Sequence, residues 1–230
     1  MSEFALALAA FLAAHSVPAA PRLRARLVGR FGRGAYLAAY SALSLALLAW
    51  LVAAARRADT VPLWQPARWQ WCVPLAVMPF ALFLVVAGLI EPNPLSVTLR
   101  GGGTPGPVVA ITRHPVPWGF LLWAASHVPP NGDLVSAVLF GAMAAFSLAG
   151  FALLDAKARR RLGPERWREM SRRTSVTPFF ALMVGHTTFA PTRRSLLVAA
   201  VALFLYAWLL AQGHALLIGP DPLVSLRALD

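Results

Sequence analysis

Five stretches of the chain carry no Asp, Glu, Lys or Arg: residues 4–20, 35–54, 73–90, 134–154 and 195–218. As helices rising ~1.5 Å per residue, runs of this length cross the ~30 Å hydrocarbon core of a bilayer. A sixth apolar run, residues 116–130, holds Trp118, Phe120, Leu121, Leu122 and Trp123. Borrowing a turn back to Thr112 makes it a span over 112–130. The expected fold is therefore all-α: a multi-pass membrane helix bundle of about six transmembrane helices, forming one integral membrane domain over residues 1–230. No internal repeat or soluble domain is visible.

Composition supports lipid as the solvent. Apolar residues make up 58% of the chain, which excludes disorder, and charged residues only 13%, against about 25% in soluble domains. The net charge of +12 would suggest nucleic acid in a soluble protein. Here the cations sit between apolar runs, so the expected partners are membrane lipid and an apolar small molecule, with no nucleic acid. Seventeen basic residues fall in 21–34, 91–115 and 155–194, against four in 55–72 and after 218. The loop-charge rule then places both termini on the non-cytoplasmic side of a bacterial-type inner membrane.

The first run is not read as a secretory signal, because Arg22, Arg24, Arg26, Arg30 and Arg33 follow it instead of preceding it. In 155–194 the density of arginine attracts anionic headgroups or an anionic ligand. The apolar stretch 177–184 inside it is too short to cross and reads as a surface or re-entrant segment.

With Cys72 the only cysteine, disulfides and CxxC sites are excluded, and any metal chemistry must use histidine. The six apolar runs contain no carboxylate, lysine or arginine, which leaves His15, His127 and His214 as the ionisable candidates at depth. Two neutral imidazoles on facing helices suit the axial positions of a haem iron. The alternative is that His15 and His127 hydrogen-bond across helices with Ser16 and Ser126. His214 lies about a turn from the outer end and reads as a group reaching water.

Arg113 and His114, before Pro115 and Pro117, open a helix at headgroup level, as either a basic flank or an anion site. Asn131-Gly132-Asp133 reads as a tight turn, Glu91-Pro92-Asn93-Pro94 as a helix breaker, and the glycines 101–103 as a flexible loop without a nucleotide-binding pattern.

His15-Ser16, Thr112-Arg113-His114-Pro115, Trp123-x-x-x-His127 followed by Asn131-Gly132-Asp133, and Arg173-Thr174-Ser175-Val176-x-Pro178-Phe179 together resemble the NnrU family. That family includes the 15-cis-zeta-carotene isomerases, and the last motif is similar to the isomerase branch. The resemblance runs from about His15 to Pro191. It implies a multi-pass membrane protein holding haem b through axial ligands His15 and His127, with cis-trans isomerisation of a carotenoid-like polyene as the activity. Arg113 and His114 are then cofactor-binding residues that pair with the haem propionates. The isomerases carry a cysteine at the position matching Ala124. Other members of the family are associated with denitrification, which implies a non-catalytic membrane factor as the alternative. A more distant similarity to isoprenylcysteine carboxyl methyltransferases implies S-adenosylmethionine-dependent methyl transfer centred on Arg113 and His114.

Depth along the helices leaves the pairing open. His127 lies ~20 Å above His114, and His15 only ~10 Å above the loop that follows it. Either tilt brings His127 to His15, or His114 is the better partner.

Overall fold

A computed structural model describes residues 1–16, 21–100 and 103–227. The last four residues of the first apolar run, and Gly101 and Gly102, lie outside the described residues. Within them the regular structure is helical, with one isolated bridge between Pro62 and Asp133. The chain divides into two compact units, Met1–Trp64 with Asp133–Leu139, and Gln65–Gly132 with Phe140–Asp230.

The first unit is built on α1 (Ser2–Ser16) and α2 (Pro21–Arg57). These helices are antiparallel. Glu3 at the start of α1 accepts hydrogen bonds from Arg57 Nη2 at 2.7 Å and Trp50 Nε1 at 3.2 Å, while His15 at its end meets the Tyr40 ring at 6.1 Å. Phe4, Ala7 and Leu8 are buried on α1, and Leu51 and Ala54 on α2. The basic stretch expected as a loop is helical instead, since arginine is a good helix former. The helix breaks at Gly32, whose φ of 80° is open to glycine at little steric cost. The apolar run expected over 35–54 lies beyond that break.

The second unit contains α3 (Arg68–Ile90), α4 (Val108–Ile111), α5 (Pro115–His127), the greater part of α6 (Leu134–Leu162), α7 (Pro164–Ser171), α8 (Phe180–Met183) and α9 (Arg193–Trp208). A π-helical turn (Leu209–Gly213) joins α9 to α10 (His214–Leu217), and α11 (Pro222–Arg227) follows. Helix α3 is central, packed against both α5 and α9. Its crossing with α5 is close because Gly119 lets the backbones approach: a Cβ there would lie 2.6 Å from Ala81 O and 2.5 Å from Val85 Cγ2. On the other side Tyr206 donates to Leu75 O at 2.9 Å, near the end of α9 and the start of α3. Leu84, Ala87, Val108, Ile111, Val198 and Ala202 form the core between these helices.

Among the described residues four helices are long and apolar enough to cross a membrane: Leu23–Arg57, Arg68–Ile90, Leu134–Leu162 and Arg193–Leu217. Helices α1 and α5 are shorter apolar helices of 15 and 13 residues. Outward faces are apolar: Phe80, Leu196 and Phe204 are each more than 60% exposed, an arrangement suited to lipid and unsuited to water. The molecule is an all-α integral membrane bundle.

Candidate functional site

The segment before α5 is where polar residues are most deeply buried. Helix α3 stops at Glu91 because Pro92 and Pro94 cannot continue it, and the breaker cluster becomes a hub. Glu91, 1% exposed, accepts from Val108 N at 2.8 Å and Ser195 Oγ at 3.2 Å, tying α3 to α4 and α9. Gly106 is packed so closely that a Cβ would sit 2.5 Å from the Glu91 carboxylate. Asn93 Nδ2 donates to Arg113 O at 3.0 Å.

Between α4 and α5 the chain is held by a strap from the basic segment. Arg113 N donates to Ser175 O at 2.7 Å, Phe179 N to Ile111 O at 2.8 Å, Thr112 Oγ1 and Trp118 Nε1 to Val176 O at 2.8 and 2.7 Å, and Thr174 Oγ1 to Val109 O at 2.7 Å. The Arg173–Phe179 motif is therefore built into the wall of the α4–α5 junction. Phe179, at a φ of 64°, turns the strap outward into α8, where Phe180 and Met183 are exposed.

The strap and Asp155 enclose Arg113 and His114. Arg113 Nη1 donates to Asp155 Oδ2 at 2.7 Å, and Nη2 reaches Ser171 O and Thr174 O at 3.3 and 3.4 Å. The guanidinium also lies 5.6 Å from the Trp167 ring centre. His114 is fully buried between Asp155 Oδ1 at 3.1 Å and Ser96 Oγ at 2.9 Å, against the Phe151 ring. Asp155 is the residue that sequence reasoning missed. Its signal was its position as the first carboxylate after the run 134–154.

Two clefts flank this hub. One of about 740 Å³ is lined by Arg113, Arg172, Arg173, Thr174 and His186 among others. A second of about 880 Å³ lies among Glu91, Glu169, Arg173, Arg193 and Arg194.

The candidate ligand histidines lie elsewhere. His15 belongs to the first unit and His127 to the second. His127 and His114 stand at opposite ends of α5, ~20 Å apart along its axis, so they mark two places and not one. In both candidate ligands Nδ1 bonds to the carbonyl four residues back: His15 to Phe11 O at 2.8 Å, His127 to Trp123 O at 2.7 Å. Nδ1 is thereby the protonated nitrogen, and Nε2 carries the free lone pair that a metal takes. The His127 ring is flanked by Phe140 at 5.1 Å and Trp123 at 5.8 Å. The His214 ring centre lies 6.5 Å from that of His127, and its Nδ1 bonds to Pro220 O at 2.7 Å. Ala124, one turn before His127, is fully buried. Among the described residues no three of His, Cys, Asp and Glu gather around one point.

No curated protein and no solved structure matches the chain. The family model described as NnrU protein matches residues 3–222, nearly the whole length, with α2 to α10 wholly inside it. The chain belongs to the NnrU family.

Proposed function

We propose that this chain is a haem b protein of the membrane that isomerises a cis double bond in a carotenoid-like polyene dissolved in the bilayer. The observation that supports this reading best is the state of the imidazoles. Carbonyls of the same helix hold Nδ1 of His15 and of His127, which presents Nε2 as a ligand in apolar surroundings. Iron would be held by His127 and a second imidazole, for which the resemblance names His15. When bound, haem supplies an iron centre whose electron exchange with the polyene lowers the order of the bond that rotates. Trp123 and Phe140 flank the His127 ring. Arg113 and His114, committed to Asp155, fix the start of α5 and so the direction of the helix that ends at His127.

The visible spectrum of the detergent-purified protein, oxidised and dithionite-reduced, with a pyridine haemochrome assay, tests the reading. A Soret band that shifts on reduction, at near one haem per chain, supports it, and conversion of cis-carotenoids by that preparation completes it. Haem without conversion favours the non-catalytic factor associated with denitrification. A protein that stays colourless after incubation with haemin removes the haem reading. One further observation favours a different chemistry: the arginine-lined cleft beside Arg113 suits the carboxylate of S-adenosylmethionine. Binding of that cofactor, measured by calorimetry on the same colourless protein, would make methyl transfer the better reading.

A further inference from the structure

The strap between α7 and α9 does more than wall the start of α5. From Met170 to Pro220 the chain has no Asp or Glu, yet Arg172, Arg173, Arg193 and Arg194 fall inside that stretch. The first two line the cleft of about 740 Å³ beside Arg113, together with His186 and Phe180. Among the described residues that line this cleft there is no carboxylate. Arg113 is the buried member of the set, and Arg172, Arg173 and His186 are exposed, so the positive lining runs from the interior to the surface. Asp155 offsets one of the three guanidinium charges through Arg113 Nη1, which leaves an excess of two. Arg113 Nε is buried without an acceptor among the described residues.

The sequence on either side sets the depth of the cleft. Asp155 is the first charged residue after the run 134–154 of α6, and Arg193 and Arg194 stand just before the run 195–218 of α9. Charges that end one span and precede another lie where hydrocarbon gives way to headgroups. One edge of the cleft is apolar, because Phe180 lines it and α8 exposes Phe180 and, at 82%, Met183. Exposed apolar side chains beside arginines match the two halves of a phospholipid, acyl chain and phosphate. Guanidinium groups take phosphate oxygens by paired hydrogen bonds, and the volume is that of a small-molecule site. Orientation of the helices accounts for the number of cations in this segment but requires no cleft.

We infer that the cleft binds the phosphate of an anionic phospholipid, with Arg113, Arg172 and Arg173 on the headgroup and Phe180 and Met183 beside an acyl chain. The inference is independent of the haem reading.

The test is isothermal titration calorimetry on the full-length protein in neutral detergent, with dioctanoyl phosphatidylglycerol, dioctanoyl phosphatidylcholine and inorganic phosphate as probes. Saturable binding of phosphatidylglycerol is expected, about tenfold tighter than either other probe. Arg172→Gln with Arg173→Gln should weaken it by about 30-fold. Arg166→Gln with Arg168→Gln removes the same charge from α7, beside Glu165 and Glu169 and outside the cleft, and should change the affinity by less than about threefold. Should the first pair prove unstable, Phe180→Glu, at a half-exposed position, sets a carboxylate at the cleft and should abolish binding. Equal weakening by the two arginine pairs overturns the site in favour of diffuse surface attraction. Equal affinity for both lipids, or no binding by the wild type, also overturns it. Inorganic phosphate binding as tightly as the lipid makes the ligand a free anion, and S-adenosylmethionine displacing the lipid at lower concentration gives the cleft to methyl transfer; either result overturns the lipid assignment.

Discussion

Asp155 carries the hub on which the start of α5 depends, and its removal gives a prediction with a magnitude. In Asp155→Ala the Arg113 guanidinium, 9% exposed, and His114, fully buried, each lose an acceptor. Breaking one partner of a fully buried ion pair costs about 3–5 kcal/mol. The Asp155 side chain keeps 23% of its exposure, so solvent screens part of this, and about 2–3 kcal/mol is expected. For a chain of this length each kcal/mol lowers Tm by roughly 2–4 °C, which gives a drop of about 4–12 °C. The assay is thermal loss of the monodisperse peak of detergent-purified protein. Asp155→Asn, which keeps one acceptor oxygen, should lose about half as much. Arg113→Met combined with Asp155→Leu should lose less than the sum of the two single changes by more than about 1 kcal/mol, because apolar replacement removes both charges together. An Asp155→Ala protein melting within about 1 °C of wild type, or strictly additive single changes, would refute the reasoning.

Three other outcomes follow from the packing. Gly119→Ala should lower stability by about 1–3 kcal/mol through overpacking at the α3–α5 crossing, measured in the same melting assay, whereas Gly141→Ala, inside α6 and meeting open space, should raise it by up to about 1 kcal/mol. Glu91→Gln leaves one amide oxygen to serve both Val108 N and Ser195 Oγ and should cost about 1–3 kcal/mol, with faster hydrogen exchange at Val108. In the first unit, the hydrogen bond from Arg57 holds the Glu3 carboxyl below its usual range, with Trp50 adding to the effect. A lowered native pKa stabilises above the unfolded value and is lost as pH falls through the native one. The difference in Trp fluorescence between wild type and Glu3→Gln should therefore be flat above about pH 5 and vanish in stronger acid.

What the sequence discloses here follows from how far each interaction reaches along the chain. Charge-free runs disclose the long helices, because a span's solvent is written in consecutive residues. Residues 21–31 look like a loop by charge and are helical because arginine pays no helix penalty, the break being left to Gly32. Glu91 reads as a local breaker, since nothing nearby announces that Val108 and Ser195 will return to its carboxylate. Arg113 and His114 are visible as candidates, but Asp155 lies 42 residues away from Arg113, and that pairing exists only once α6 is packed. That His214 comes within 6.5 Å of His127 depends on the π-helical turn before it, which no local pattern announces. The imidazole of His127 is legible as a buried group, while its neighbour is not.

Helix α5 has 13 residues and covers about 20 Å, against the ~30 Å of hydrocarbon around it. Beside the 23 residues of α3 it leaves a notch of about 10 Å in the apolar belt. A helix that short is accommodated by local thinning of the bilayer, by snorkelling of flanking side chains or by association with neighbouring helices. Bilayer thickness therefore acts on this protein in two opposed senses: a thin bilayer matches α5, and a thicker one matches the longer helices beside it.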